Sequence, residues 1–299
     1  MPKSYTVADD YHDSRLDKWF IHNVINLPHS LIEKIIRQNK IKVNKKKTKS
    51  SHRVQSGDLI EVYDILRFRP IDKEKKLKYK PKKNEVGEYD DYIIEDNENF
   101  IIINKPTGIA VQGGTKSFKN IIDIIKNTKY FINSKPFIVH RIDKETSGIL
   151  IIAKNRKFAQ LFTSLFRIRK IHKTYLALVY NKVNDSIKIM RDELIYYENN
   201  KKISQKAVSN LKIIKSNESY SFVELNPITG RKHQLRKQLL KIGNPIIGDD
   251  KYFLNNRKRL KTRNLMLHAY KIKFMINNVQ YNFKAKYNKI FTDFLKENF

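Results

Sequence analysis

The sequence contains no cysteine, which excludes disulfide bridges and cysteine-ligated zinc or iron–sulfur centres. Its eight histidines show no His-x-x-x-His or related metal spacing. No metal and no cofactor is therefore expected. Apolar runs are short; none approaches the roughly 18 residues that a membrane span requires, and no membrane partner is expected. Acids are scarce, with 30 Asp and Glu against 61 Lys and Arg, and the 299 residues carry a formal net charge of +31. The early acids Asp9, Asp10 and Asp13 suit neither a secretory signal nor an acid-poor transit peptide, so the expected location is cytoplasmic. Charge of this size is the footprint of a polyanion partner. Lys, Ile and Asn are abundant together, as coding rich in A and T also produces, so the placement of the charge carries more than its total.

A hydrophobic content of 40% supports an ordinary core, and the length suits one large domain plus a small one. Residues 1–12 read as a poorly structured lead. Ser14 with Asp17 reads as a capping box opening a helix with Leu16, Phe20 and Val24 inward, and Ser30 with Glu33 as a second. The second helix turns Leu31, Ile32, Ile35 and Ile36 to its inner face. Short strands follow at Ile41–Val43 and Leu59–Tyr63, the latter after the turn Gly57-Asp58. From Lys34 to Arg53 there is no acid. A lysine run is ordinarily a solvated face, but this one covers a helix end and a hairpin loop together. Lys34, Arg37, Lys42, Lys45 and Lys46 are the candidate RNA-binding side chains there.

Three domains are read: a small module over 13–66, a lysine-rich linker over 67–90, and a large domain over 91–299. In the last, Tyr92–Glu95 and Phe100–Asn104 read as strands, and Lys105-Pro106-Thr107-Gly108 breaks the second. Phe118, Ile121, Ile122 and Ile125 keep helical spacing. Residues 181–205 read as polar surface connection, and 253–264 as a basic loop.

One stretch organises the rest. Phe137–Val139 and Ile149–Ala153 are short apolar strands, and between them lies a polar loop with His140, Arg141 and Asp143, closed by a Thr-Ser-Gly turn. Buried strands would fix this loop and offer Asp143 to a cleft; on local pattern alone, Asp143 capping its own turn is equally admissible. Tyr175 sits in the strand Lys173–Val179, where core filling is the ordinary use of a tyrosine. Arg236 follows Pro227-Ile-Thr-Gly-Arg-Lys-His-Gln-Leu on a helix whose apolar stripe is Leu235, Leu239 and Ile242. Arg236 lies off that stripe and is read as free to pair with a carboxylate or phosphate.

His-Arg-Ile-Asp-Lys-Glu-Thr-Ser-Gly resembles the signature of the RluA-type pseudouridine synthases, with Ile142 as a conservative departure. Lys173-Thr-Tyr-Leu-Ala and the 227–236 segment resemble further family motifs, as do Gly248-Asp249 and Leu267-His-Ala, in the same order. The N-terminal module resembles the S4 RNA-binding domain, and with Ala110-Val-Gln-Gly-Gly it is most similar to the RluC-type large-subunit ribosomal RNA branch. The resemblance implies an α+β catalytic fold with a mixed, mainly antiparallel central sheet and flanking helices, plus an S4-like α/β module. It implies Asp143 as the catalytic carboxylate, Tyr175 against the target base and Arg141 at phosphates or the vacated base position; a neighbouring cation would favour the ionised carboxylate, and Arg236 is expected to supply it. The implied substrate is large-subunit ribosomal RNA and the expected state a monomer. Two rivals remain: a transfer RNA synthase of the same mechanism, and a non-catalytic RNA-binding ribosome-assembly protein.

Overall fold

The computed structural model describes residues 2–64, 79–81, 87, 89–114, 118–198, 201–253 and 264–299. The chain forms two compact units, Met1–Leu77 and Lys78–Phe299. Most of the linker expected over 67–90, and positions 254–263 of the basic loop, lie outside the described residues.

In the first unit, β1 (Lys3–Thr6), β6 (Leu59–Val62), β3 (Ile41–Val43) and β4 (Lys46–Lys47) form one sheet in the order β1-β6-β3-β4. A two-stranded ribbon joins β2 (Ser14–Arg15) to β5 (Arg53–Val54). Two helices, α1 (Leu16–Asn23) and α2 (His29–Arg37), pack Leu16, Trp19, Phe20, Ile32, Ile35 and Ile36 against this framework. The expected lead is instead partly strand: β1 runs antiparallel to β6, and the Tyr5 ring meets Trp19 edge-on. Neither capping box forms. Ser14 is engaged in β2, so α1 begins at Leu16 without a side-chain cap. Asp17 is spent elsewhere, accepting from Arg15 and the Lys18 N–H and pairing with His29. Likewise the N-cap of α2 is Pro28, two residues earlier than read, which leaves Ser30 already inside the helix.

The second unit is built on a ten-stranded sheet. Its strands are β7 (Ile93–Asp96), β8 (Phe100–Lys105), β9 (Phe137–Ile138), β10 (Ser147–Ala153), β11 (His172–Tyr180), β12 (Ile189–Glu198), β13 (Lys201–Ser216), β14 (Tyr220–Pro227), β15 (Leu267–Ile276) and β16 (Val279–Lys284). The main path runs β12-β13-β14-β11-β15-β10-β8-β7, with β16 on β15 and β9 on β10. Its ladders are antiparallel except β10 on β15, which run parallel at Ser147↔His268 and Gly148↔Ala269. The α-helices among the described residues of this unit include α3 (Ile121–Ile125), α4 (Arg156–Arg167), α5 (Gln234–Lys241) and α6 (Lys289–Asn298). This is the expected α+β fold with a mixed sheet.

β8 and β10 are covered on both faces. Ile101, Ile103, Leu150 and Ile152 meet α3, whereas Phe100, Ile102, Ile149 and Ile151 meet Phe162 of α4 and Phe274 of β15. Burial on two sides is why both strands read as unbroken apolar runs. Asn155 caps α4 by accepting the Phe158 N–H, as its position suggests. Two expectations fail. Phe118 is exposed and precedes α3, because Asn120 caps that helix and starts it at Ile121. The polar stretch 181–205 contains β12 and the start of β13, paired over ten positions from Ile189↔Asn210 to Glu198↔Lys201. β12 is an edge strand, half solvated, so it carries the charged run Arg191-Asp192-Glu193 without breaking the ladder.

Candidate active site

The loop between β9 and β10 carries Asp143, and its backbone is fastened from behind. Thr107 Oγ1 donates to Glu145 O at 2.7 Å, and the Gly108 N–H donates to Lys144 O at 3.0 Å. Lys105 Nζ, fully buried, donates to the carbonyls of Pro106, Ile109 and Lys144 at 2.8, 2.9 and 3.1 Å. Those three acceptors match the three donors of an ammonium. Burial nonetheless pulls the Lys105 pKa down to about 7, against the carboxylates of Glu145 and Asp143. Lys105-Pro106-Thr107-Gly108 therefore does more than end a strand. It holds the Asp143 loop.

The turn itself closes with the Thr146 N–H on Asp143 O at 3.2 Å. Gly148 follows at φ +103°, where an added Cβ would lie 2.3 Å from Ala269 O. Only glycine admits the parallel crossing of β10 and β15 here. Alongside, His268 Nε2 faces Ala285 O at 3.1 Å and so carries the proton, leaving Nδ1 to accept from Ser147 Oγ at 2.9 Å. Burial holds this imidazole neutral, its pKa pulled down to about 4. On the β9 side, His140 Nε2 accepts the Ile151 N–H at 2.8 Å and its ring stacks on Phe166 at 4.6 Å. Burial, helped by the Lys173 charge, pulls the His140 pKa down to about 3. An accepting nitrogen requires the same neutral state.

Asp143 opens into a cavity of about 430 Å³ that Arg141, Tyr175, Lys173, His233 and Arg236 also line. All four sequence-predicted pocket residues are thus brought together. The Asp143 side chain is 29% exposed, with Arg236 Nη1 3.8 Å from Oδ2 and His233 Nε2 3.6 Å from Oδ1. Tyr175 enters from β11, opposite Leu225 of β14 and Ala269 of β15. Burial raises its phenol pKa, with the Asp143 charge adding to the effect, so the ring stays neutral. Arg141 is exposed at the rim.

Arg236 is not the free cation expected. It is buried, because α5 packs Gln234, Leu235, Arg236, Gln238 and Leu239 all inward. A bidentate pair ties it to Asp249, with Nε to Oδ2 and Nη2 to Oδ1 both at 2.7 Å. Burial opposes its charge, but the hydrogen bonds and charge of Asp249, supplemented by Asp143, outweigh that and raise its pKa. The approach to α5 is fixed by buried amides and hydroxyls. Thr229 Oγ1 donates to Gln234 Oε1, Gln234 Nε2 to Ser209 Oγ, and Ser209 Oγ to Gln238 Oε1. Sequence reading passed over Lys105, His233, Asp249 and Tyr252 as working parts of this site. Lys105, His233 and Asp249 do lie in segments that resemble family motifs, but no role was read for them, and nothing pointed to Tyr252.

A broader groove of about 1210 Å³ shares Arg141, Lys173 and Tyr175 with the pocket. Its lining is basic, with Arg167, Arg169, Lys271, Lys273 and Lys284 against the acid Glu224. Lys271 and Lys284 stand directly opposite on neighbouring strands, a like-charge pair that costs stability on its own. Such a surface is complementary to a polyanion. The other predicted basic residues belong to the first unit, where Lys34 and Arg37 close α2, Lys42 is in β3 with Nζ 4.9 Å over the Tyr63 ring, and Lys45 and Lys46 form the turn into β4. Of these, Lys34, Arg37, Lys45 and Lys46 are exposed.

The profile of the RNA pseudouridylate synthase family matches residues 99–241. Ribosomal large subunit pseudouridine synthase C of Rickettsia felis is 35% identical, covering 94% of this chain and 95% of its own length. The chain belongs to the RNA pseudouridylate synthase family. The correspondingly titled protein of Vibrio parahaemolyticus is 31% identical over 90% of this chain and 87% of its own. Among solved structures, human RNA pseudouridylate synthase domain containing 4 superposes with a TM-score of 0.60 at 26% identity, over 71% of this chain and 94% of that one. This pseudouridine synthase is accordingly an isomerase. Among the described residues, no helix is long and apolar enough to cross a membrane, and no cluster of three or more His, Asp or Glu side chains could hold a metal ion.

Proposed function

We propose that this synthase isomerises specific uridines of 23S, large-subunit ribosomal RNA to pseudouridine, with Asp143 as the carboxylate that acts on a flipped-out nucleotide. The observation that carries the reading is the convergence of Asp143, Tyr175, His233 and Arg236 on one cavity. The reaction breaks the bond from ribose C1′ to N1, turns the uracil, and joins C1′ to C5. The proton leaves C5 and N1 regains one, so nothing is oxidised and no group is lost. A base inside folded RNA is out of reach, so it must be extruded at a cost of a few kcal/mol. Tyr175 stacks on the extruded uracil. Asp143 acts at the ribose as nucleophile or base, and Arg236 supplies the fixed positive charge beside it.

Arg141, at the rim, braces a phosphate or fills the space the base has left, and the basic groove takes up flanking backbone. The first unit contains, over 13–66, an S4-like module whose Lys34, Arg37, Lys42, Lys45 and Lys46 add salt-dependent affinity and placement. The ribosomal assignment draws on the names of the relatives and on this module. With it go a cytoplasmic location and a monomeric enzyme. The test is pseudouridine mapping on large-subunit ribosomal RNA from cells carrying Asp143→Ala against wild type. Loss of discrete modified uridines, with the variant still bound to RNA, is the expected result. An unchanged map would refute the ribosomal assignment and direct the search to transfer RNA.

A further inference from the structure

Both donors facing the Asp143 carboxylate are fastened to the segment that follows α5. Asp249 grips Arg236 with both oxygens, and its Oδ1 also accepts the N–H groups of Lys251 and Tyr252 at 2.9 Å each. The Tyr252 hydroxyl so placed lies 2.9 Å from His233 Nδ1, and the Arg236 guanidinium sits 5.0 Å over the Tyr252 ring. The turn is seated firmly. Gly248, at φ +78°, passes so close to Asn264 that an added Cβ would lie 2.0 Å from its carbonyl oxygen. His233 itself holds a left-handed conformation, φ 53° and ψ 30°, at the start of α5. A non-glycine residue keeps such a backbone only when its surroundings impose it.

The tautomer follows from the partners. His233 Nε2 faces Asp143 Oδ1 at 3.6 Å, an arrangement that is attractive with a proton on Nε2 and repulsive with a lone pair there. Nδ1 is then the acceptor, and the Tyr252 hydroxyl donates to it. Burial keeps the imidazole neutral by lowering its pKa; Asp143 opposes that shift while Arg236, Lys251 and Lys232 reinforce it. Each oxygen of Asp143 therefore faces a different donor, Oδ1 the imidazole and Oδ2 the guanidinium.

We propose that the turn 249–252 is a positioning element for Asp143, acting through Asp249 on Arg236 and through Tyr252 on His233, so that each carboxylate oxygen faces a fixed N–H, at 3.6 and 3.8 Å. This rests on the reading of Asp143 as the acting carboxylate. A carboxylate turns easily about its last torsion, and two donors on opposite oxygens fix its plane toward the ribose. Without the Tyr252 hydroxyl the imidazole can take its other tautomer, and Oδ1 loses its donor. His233 and Tyr252 are positioning residues here, with no contact to the reacting atoms required.

The experiment uses the full chain and a large-subunit ribosomal RNA transcript, with kcat and KM measured separately. Tyr252→Phe is expected to lower kcat roughly tenfold, the equivalent of one hydrogen bond, with KM and the unfolding midpoint unchanged. His233→Gln places an amide N–H near the Nε2 position and removes the choice of tautomer, and its own kcat is the reference for the double variant. Adding Tyr252→Phe to His233→Gln should then cost nothing further. A wild-type kcat in Tyr252→Phe, or the same loss in both backgrounds, would overturn the proposal. A second readout needs no turnover. The nitrogen-15 imidazole spectrum, with the His233 signal identified by its loss in His233→Gln, should show a proton on Nε2 in the wild type and mixed tautomers in Tyr252→Phe. A wild-type proton on Nδ1 refutes the clamp. Failure of the wild type to form pseudouridine in ribosomal or transfer RNA would sink the functional reading instead, and the spectrum would still decide the clamp.

Discussion

The Asp143 pocket and the lysine stripe from Lys34 to Arg53 both depend on basic side chains, but they hold them in opposite ways. In the pocket, Arg236 is buried and locked by two bonds to Asp249, and its unused nitrogen is left at a defined distance from Asp143. In the stripe, Lys34, Arg37, Lys45 and Lys46 stand exposed on a helix end and a turn. The first arrangement delivers direction and the second delivers charge. A buried cation is worth what its geometry is worth, whereas exposed lysines act nearly additively through released counterions.

That contrast can be broken at its strong end first. Arg236→Met leaves the buried Asp249 charge without its cation, which should cost roughly 3–5 kcal/mol in urea unfolding and reduce turnover even at temperatures where the protein stays folded. A loss below about 1 kcal/mol would mean that the pair is not the anchor described here.

Next comes the neutral histidine behind the loop. His268 has a folded pKa pulled to about 4 from an ordinary 6.5, so the unfolded chain binds its proton first as pH falls. Stability from this group is fully present above pH 6.5, declines below it, and levels off near pH 4, for a total of up to about 3 kcal/mol. Denaturant titrations across that range should show the decline, and His268→Gln should flatten it.

The smallest effects belong to the stripe. Lys45→Gln with Lys46→Gln should leave kcat unaltered and raise KM modestly. It should also reduce the slope of log affinity against log salt by about 1.5, from two phosphates at roughly 0.7–0.9 each. A change in kcat would show that these lysines do more than supply charge.

Asp143 was legible because two apolar runs bracket it; Ile149–Ala153 is buried on both faces and reads as an unbroken hydrophobic string, whereas β9, expected to be buried as well, is a two-residue strand with Ile138 exposed. Tyr175 became legible through its motif, since a strand tyrosine alone is usually filler. The position of Arg236 beside Asp143 was anticipated and its burial was not. A helical stripe is counted from apolar residues, so it misses a helix that also buries Gln234, Arg236 and Gln238 through hydrogen bonds. The partners behind the pocket left no local pattern, because Asp249 is 13 residues from Arg236 and Tyr252 is 19 from His233. The β12–β13 hairpin escaped for a different reason. An edge ladder tolerates charged side chains such as Arg191, Asp192 and Glu193, and dense polarity resembles a surface connection.

The crossing of β10 and β15 at Gly148 also bears on when the enzyme becomes active. Ser147 and His268, side by side there, are 121 positions apart in the chain. The Asp143 loop is thus made early during synthesis but receives its flanking strand only after β15 has left the ribosome. Contacts of such long range form slowly, since their loop must close before they stabilise anything. A nascent chain that has produced Asp143, Tyr175 and Arg236 still lacks the strand beside its loop. On this account the nascent chain acquires activity late and in one step, when β15 docks.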